Sequence, residues 1–105
     1  MNYNIKNIPS KELAKGISGR YIHTDHNTIG FITVEKGAIL PEHSHIHEQI
    51  TQMVSGKFEM TIDGVTQILE AGSVCVIPSN VTHSAVALSD CEIIDTFYPV
   101  REDYK

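Results

Sequence analysis

The side chains best suited to chemistry crowd into "PEHSHIHEQI", residues 41–50. Histidines stand at 43, 45 and 47, and Glu48 and Gln49 follow them. Imidazole nitrogens suit zinc, copper, iron and nickel, and an amide oxygen is a hard ligand with no preference among them. Whether two of these imidazoles aim at one point depends on the backbone. A helix beginning at Pro41 puts His43 and His47 on one face, whereas a strand puts His43 and His45 there. Pro41 suits the first position of a strand, and strand signals flank the segment on both sides, so we read a strand. A His-x-His pair alone describes an ordinary surface, and the surroundings must decide.

Those surroundings carry a regular spacing. Gly37 lies six residues before His43, Gln49 four after His45, and Gly56 seven after Gln49. Further on, "GSVCVIPSNVTH" sets Gly72, Pro78 and His83 at a second spacing. The elements between are short. Turn signals recur at Gly30, "EKG", "SGK", "DG", "EAG" and "PSN", and runs of Val, Ile, Thr and Phe separate them. That is the pattern of an all-β sandwich or barrel. In "KFEMTIDGVTQILE", Phe58, Met60 and Ile62 alternate with polar residues, and "DG" supplies a hairpin turn. One short helix is predicted over residues 9–16, with Ser10 as N-cap and Gly16 as its stop.

Composition narrows the classes. The 105 residues fit one domain, 1–105, with 41% hydrophobic and 20% charged residues, as in an ordinary soluble globule. No apolar run approaches the roughly 20 residues of a membrane span. The opening residues lack the apolar stretch of a secretory signal, so a cytoplasmic location is the default expectation. Net charge is −5 and the basic residues are scattered, which argues against nucleic acid as a partner. Cys75 and Cys91 have no metal-binding spacing, and Cys75 in "SVCVIP" reads as a buried reduced thiol.

The two spacings together resemble the cupin superfamily. Its first motif, G-x5-H-x-H-x3-E-x6-G, is matched by "GAILPEHSHIHEQITQMVSG", with Gln49 at the glutamate position. Its second, G-x5-P-x-G-x2-H-x3-N, is matched by "GSVCVIPSNVTHSAVA", with Asn80 and Ala87 departing from it. The resemblance implies a cupin jelly-roll barrel holding one divalent transition metal on His43, His45, Gln49 and His83. Nickel, zinc, iron and manganese all stay open. Three neutral imidazoles and a neutral amide leave the charge of such an ion uncancelled, which favours an anionic ligand. His47 is not counted, because the chain must bulge after Ile46 to turn Gln49 inward; His47 and Glu48 read as rim residues. His23 and His26, in "HTDHNT", are expected in an exposed turn.

The last segment, "CEIIDTFYPVREDYK", puts Ile93, Asp95 and Phe97 on one face of a strand. A carboxylate on an inward face is costly unless it is paired or used, so the reversed register, with Asp95 exposed, stays open beside the inward one. The segment is similar to the D-x-F-x3-R ending of KdgF-type cupins, which linearise unsaturated uronates in pectin and alginate breakdown. That resemblance implies Asp95 as catalytic acid/base, Phe97 as an apolar wall for substrate, and Arg101 as a catalytic and substrate-binding residue. By itself Arg101, near an acidic end, reads as solvated surface. Three functions stay open: uronate ring opening, a binding or sensing cupin for a small anion, and an iron-dependent dioxygenase. The expected partner is a small anionic molecule, a sugar acid, and exposed edge strands make a homodimer the expected assembly.

Overall fold

The computed structural model describes all of residues 1–105. Ten strands follow in order: β1 Lys11–Ala14, β2 Ile17–His23, β3 Thr28–Val34, β4 Ile39–His43, β5 Glu48–Ser55, β6 Phe58–Ile62, β7 Val65–Leu69, β8 Val74–Ile77, β9 His83–Ala87 and β10 Cys91–Tyr98. They form a six-stranded sheet, ordered β1-β2-β3-β10-β5-β8, and a four-stranded sheet, ordered β4-β9-β6-β7. Every pairing is antiparallel. No helix is long and apolar enough to cross a membrane.

The two-residue side-chain period of the strands builds the interior. On β5, Gln49, Thr51 and Met53 are buried while Glu48, Ile50 and Gln52 are exposed. Across the six-stranded sheet the inward positions align in rungs. His23, Thr28, Phe97, Gln49 and Ile77 make one rung, and Tyr21, Gly30, Asp95, Thr51 and Cys75 make the next. The third rung, Gly19, Ile32, Ile93 and Met53, is wholly apolar. Below it the core closes with Ile17, Val34 and Cys91, joined from the other sheet by Phe58, Met60, Leu69, Ala85 and Ala87. Polarity is thus confined to the two rungs at one end. The Tyr21 ring lies across the bare backbone of Gly30, where an added Cβ would sit 2.6 Å from a ring carbon.

The expected hairpin at 58–69 forms as read, with Asp63 and Gly64 both at positive φ, as a tight hairpin turn requires. The expected helix over residues 9–16 does not form. Lys11–Ala14 instead pair with β2 as an edge strand, and Gly16, at φ +77°, turns the hairpin rather than ending a helix. Eight residues are too few to offset the cost of helix nucleation, whereas a sheet edge satisfies their backbone groups at once. The only helical turn near the N-terminus is a single 3₁₀ turn at Ile5–Asn7, capped by the Asn4 side chain.

Gly56, the last glycine of the first spacing, sits at φ +89° against the Asp90–Cys91 backbone, where a Cβ would lie 2.9 Å from the Cys91 Cα. Both the conformation and the contact exclude a side chain. Gly56→Ala is expected to destabilise the fold by at least about 2 kcal/mol, read as a lowered midpoint in urea melts.

Candidate metal centre

Four chain segments deliver the polar end. His43 is the last residue of β4, and His83, opposite it in register, is the first of β9. His45 does not lie on a strand: residues 44–47 are irregular, and β5 resumes at Glu48. The strand read through 43 and 45 therefore stops at His43, and the break lets Gln49 turn inward. Ring centroids are 4.2 Å apart for His43 and His83, 4.9 Å for His45 and His83, and 5.7 Å for His43 and His45. One nitrogen of each imidazole lies within 4.8 Å of the other two.

Backbone carbonyls set the tautomers. Nδ1 of His43 meets the Pro41 carbonyl at 2.8 Å, that of His45 the His47 carbonyl at 2.9 Å, and that of His83 the Val81 carbonyl at 2.9 Å. A carbonyl only accepts, so each Nδ1 carries the proton and each Nε2 carries a lone pair. Burial holds the His83 pKa down to about 4 and also lowers that of His45, so both rings are neutral at neutral pH. The His83 Nε2 is buried with no hydrogen-bond partner. Gln49 Oε1, also an acceptor, lies 3.1 Å from the His45 Nε2. A buried orphan nitrogen and two facing acceptors describe a place for a cation, and the neutral N₃O donor set suits a divalent transition metal.

The rest of the site lines a small cavity of about 60 Å³ whose walls run from the histidines to Ile17 and Val34. Asp95 faces into it, so of the two registers the sequence allows, the inward one forms. Its Oδ1 accepts a hydrogen bond from the Thr51 hydroxyl at 2.7 Å, and Thr51 Oγ1 accepts one from Gln49 Nε2 at 3.0 Å. Burial pushes the Asp95 pKa up to about 6, against the opposing pull of the Thr51 and Gln49 hydrogen bonds and the Arg101 charge. Phe97 is buried and meets the His45 ring edge-on at 5.9 Å.

Arg101 is not solvated surface. It is 7% exposed, with its guanidinium 3.9 Å above the Tyr104 ring and 4.7 Å from the Phe97 ring. Its Nε and Nη2 donate to the two carboxylate oxygens of Asp103 at 3.0 and 2.8 Å. The chain folds back after β10 to put it there. Its backbone N–H donates to Thr28 Oγ1, and a 3₁₀ turn at Glu102–Tyr104 seats Tyr104 in the cavity wall. Tyr104 also packs on Tyr21, with centroids 4.7 Å apart. His23 departs from the exposed turn expected of it, because its Nδ1 accepts from the buried Thr28 hydroxyl at 2.8 Å. His26 is exposed as expected. The His47 ring stays outside the cluster, but its carbonyl orients His45.

Sequence reasoning missed Thr51, Thr28, Asp103, Tyr21 and Tyr104. Strand parity was the available signal for Thr51 and Tyr21, since each sits two or four places from an inward residue. Nothing local marked Tyr104, which depends on the tail's return.

A cupin-domain family model matches residues 30–97. The chain belongs to the cupin family. This cupin is 36% identical over 99 residues to the pectin degradation protein KdgF of Dickeya dadantii, covering 91% of the present chain and 90% of that one. Among solved structures, KdgF from Halomonas sp. is 32% identical with a TM-score of 0.87, over 92% of this chain and 91% of that one. An RmlC-like cupin from Shewanella frigidimarina is 31% identical with a TM-score of 0.91, over 95% and 91% of the two chains. This cupin is thus a close relative of the KdgF proteins.

The raised Asp95 pKa has a sign that a melt can read. The folded value, about 6, lies above the ordinary value of 3.8, so folding favours the protonated acid. Its contribution to stability is present below about pH 4 and lost as pH rises through about 6. Relative to wild type, metal-free Asp95→Asn is expected to gain on the order of 2–3 kcal/mol between pH 4 and pH 8, measured by urea melts at both.

Proposed function

We propose that this cupin opens the ring of an unsaturated uronate, with a divalent transition metal held by His43, His45, Gln49 and His83. Nickel, zinc, iron and manganese all suit that donor set. The observation that carries the reading is an inward carboxylate, Asp95, one hydroxyl away from Gln49, in a chain 36% identical to a pectin degradation protein. The two sheets then act as the halves of a jelly-roll barrel in a single domain, with the substrate entering at the polar end.

The reaction is an isomerisation in which nothing is added or lost. The anomeric hydroxyl gives up its proton, the bond from the anomeric carbon to the ring oxygen breaks, and an aldehyde forms. The enolate left on the other side takes a proton at its vinylic carbon and becomes a ketone. A bound metal supplies Lewis-acid polarisation of an oxygen. Asp95 moves the proton, and a pKa of about 6 suits a group that must both accept and release it near neutrality. Phe97 forms an apolar wall beside the ring. Arg101 has two of its five N–H donors engaged by Asp103, and the remaining ones meet the uronate carboxylate.

We also read the protein as a cytoplasmic homodimer. Edge strand β8 leaves Val74 and Val76 more than half exposed beside Ile50 on β5, a face that a second copy would cover; sedimentation gives the mass.

Two variants test the site. Asp95→Asn is expected to keep its metal by elemental analysis and to lose at least about 100-fold in kcat for ring opening, followed by NMR. Activity close to wild type removes Asp95 from the role. His83→Ala is expected to lose the metal, and stoichiometric metal in that variant rules out the assigned ligand set. Binding of uronate by the wild type with no product formed marks a sensor instead of an enzyme.

A further inference from the structure

We propose that Thr51 is a positioning residue: it fixes which end of the Gln49 amide faces the histidines, and so ties Asp95 to the metal site. The inference rests on Gln49 being a metal ligand, as read above. An amide offers a cation its oxygen and never its NH₂ group, and Gln49 alone has no means of choosing between them. The Thr51 hydroxyl makes the choice. It has one proton, which it donates to Asp95 Oδ1 at 2.7 Å. Toward Gln49 it therefore presents only a lone pair, and it accepts from Nε2 at 3.0 Å.

With the NH₂ end held there, Oε1 is left 3.1 Å from the His45 Nε2. A flipped amide would face two acceptors, Oε1 and the threonine oxygen, against each other. Thr51 is 1% exposed and Gln49 6% exposed, so bulk water does not compete for these bonds. Register supports the chain: Asp95 pairs with Thr51, and Phe97 with Gln49, on adjacent inward rungs. Polarity thus runs one way, from the amide N–H through the hydroxyl to the carboxylate.

The test compares apparent zinc affinity, by chelator competition, in the full chain and its variants. Thr51→Val keeps the shape and the β-branch but removes the hydroxyl. It is expected to weaken zinc about 10- to 100-fold, with Thr51→Ser restoring affinity to within about three-fold of wild type. The decisive comparison adds Gln49→Glu. A carboxylate has two equivalent oxygens, so Thr51→Val in that background is expected to cost little further zinc affinity. Unchanged affinity in Thr51→Val, or the same loss in both backgrounds, overturns the proposal, the latter by showing a merely structural role. If Thr51→Val fails to fold in a thermal melt, Thr51→Ala is judged by the same comparison. Zinc binding by the wild type without uronate turnover removes the proposed activity and leaves this comparison intact. No zinc binding by the wild type overturns this proposal, while the ring-opening reading is judged separately by the uronate assay with the other three metals.

Discussion

Three carbonyl–imidazole hydrogen bonds govern the polar end of this protein. Each fixes the proton on Nδ1, and each thereby turns an unprotonated Nε2 toward the same small space. Were the tautomers free, any ring would be able to donate to a neighbour and the cluster would satisfy itself. Fixed as they are, the lone pairs have no donor among themselves, and the His83 nitrogen is left buried without a partner. The site has a deficit of positive charge that the fold does not remedy from its own side chains.

The sheet supplies the second constraint. Because inward positions recur every second residue, Gln49 and Thr51 are neighbours on one face, and Phe97 and Asp95 are their counterparts on the next strand. The polar side chains therefore sit on adjacent rungs of a rigid ladder, and apolar rungs below them exclude water from one side. That burial is what raises the Asp95 pKa, while its bond from Thr51 keeps the carboxylate from being an unpaired charge. The polar end and the apolar core here differ by one rung along each strand.

Much of this was legible in the sequence, for definite reasons. His43, Gln49 and His83 lie on strands or at their ends, where alternation and spacing translate directly into direction. Asp95 declared itself as a carboxylate between two inward apolar residues. His45 was placed in the cluster on a wrong premise, since irregular backbone rather than a strand carries it. The N-terminal segment misled because Ser10 and Gly16 punctuate helices and hairpins alike, and only the pairing with β2 distinguishes them. Arg101 looked exposed because its burial depends on a tail that returns to stack it between Tyr104 and Phe97, contacts that no local pattern encodes.

The bond between Arg101 and Asp103 sets the electrostatics of the cavity wall. The guanidinium's most directional edge already holds a carboxylate belonging to the chain. Its charge is therefore partly balanced before anything enters, and the donors left over lie between the Tyr104 and Phe97 rings. Any carboxylate meeting those donors would join an ion pair already formed, and would gain less than from a bare cation.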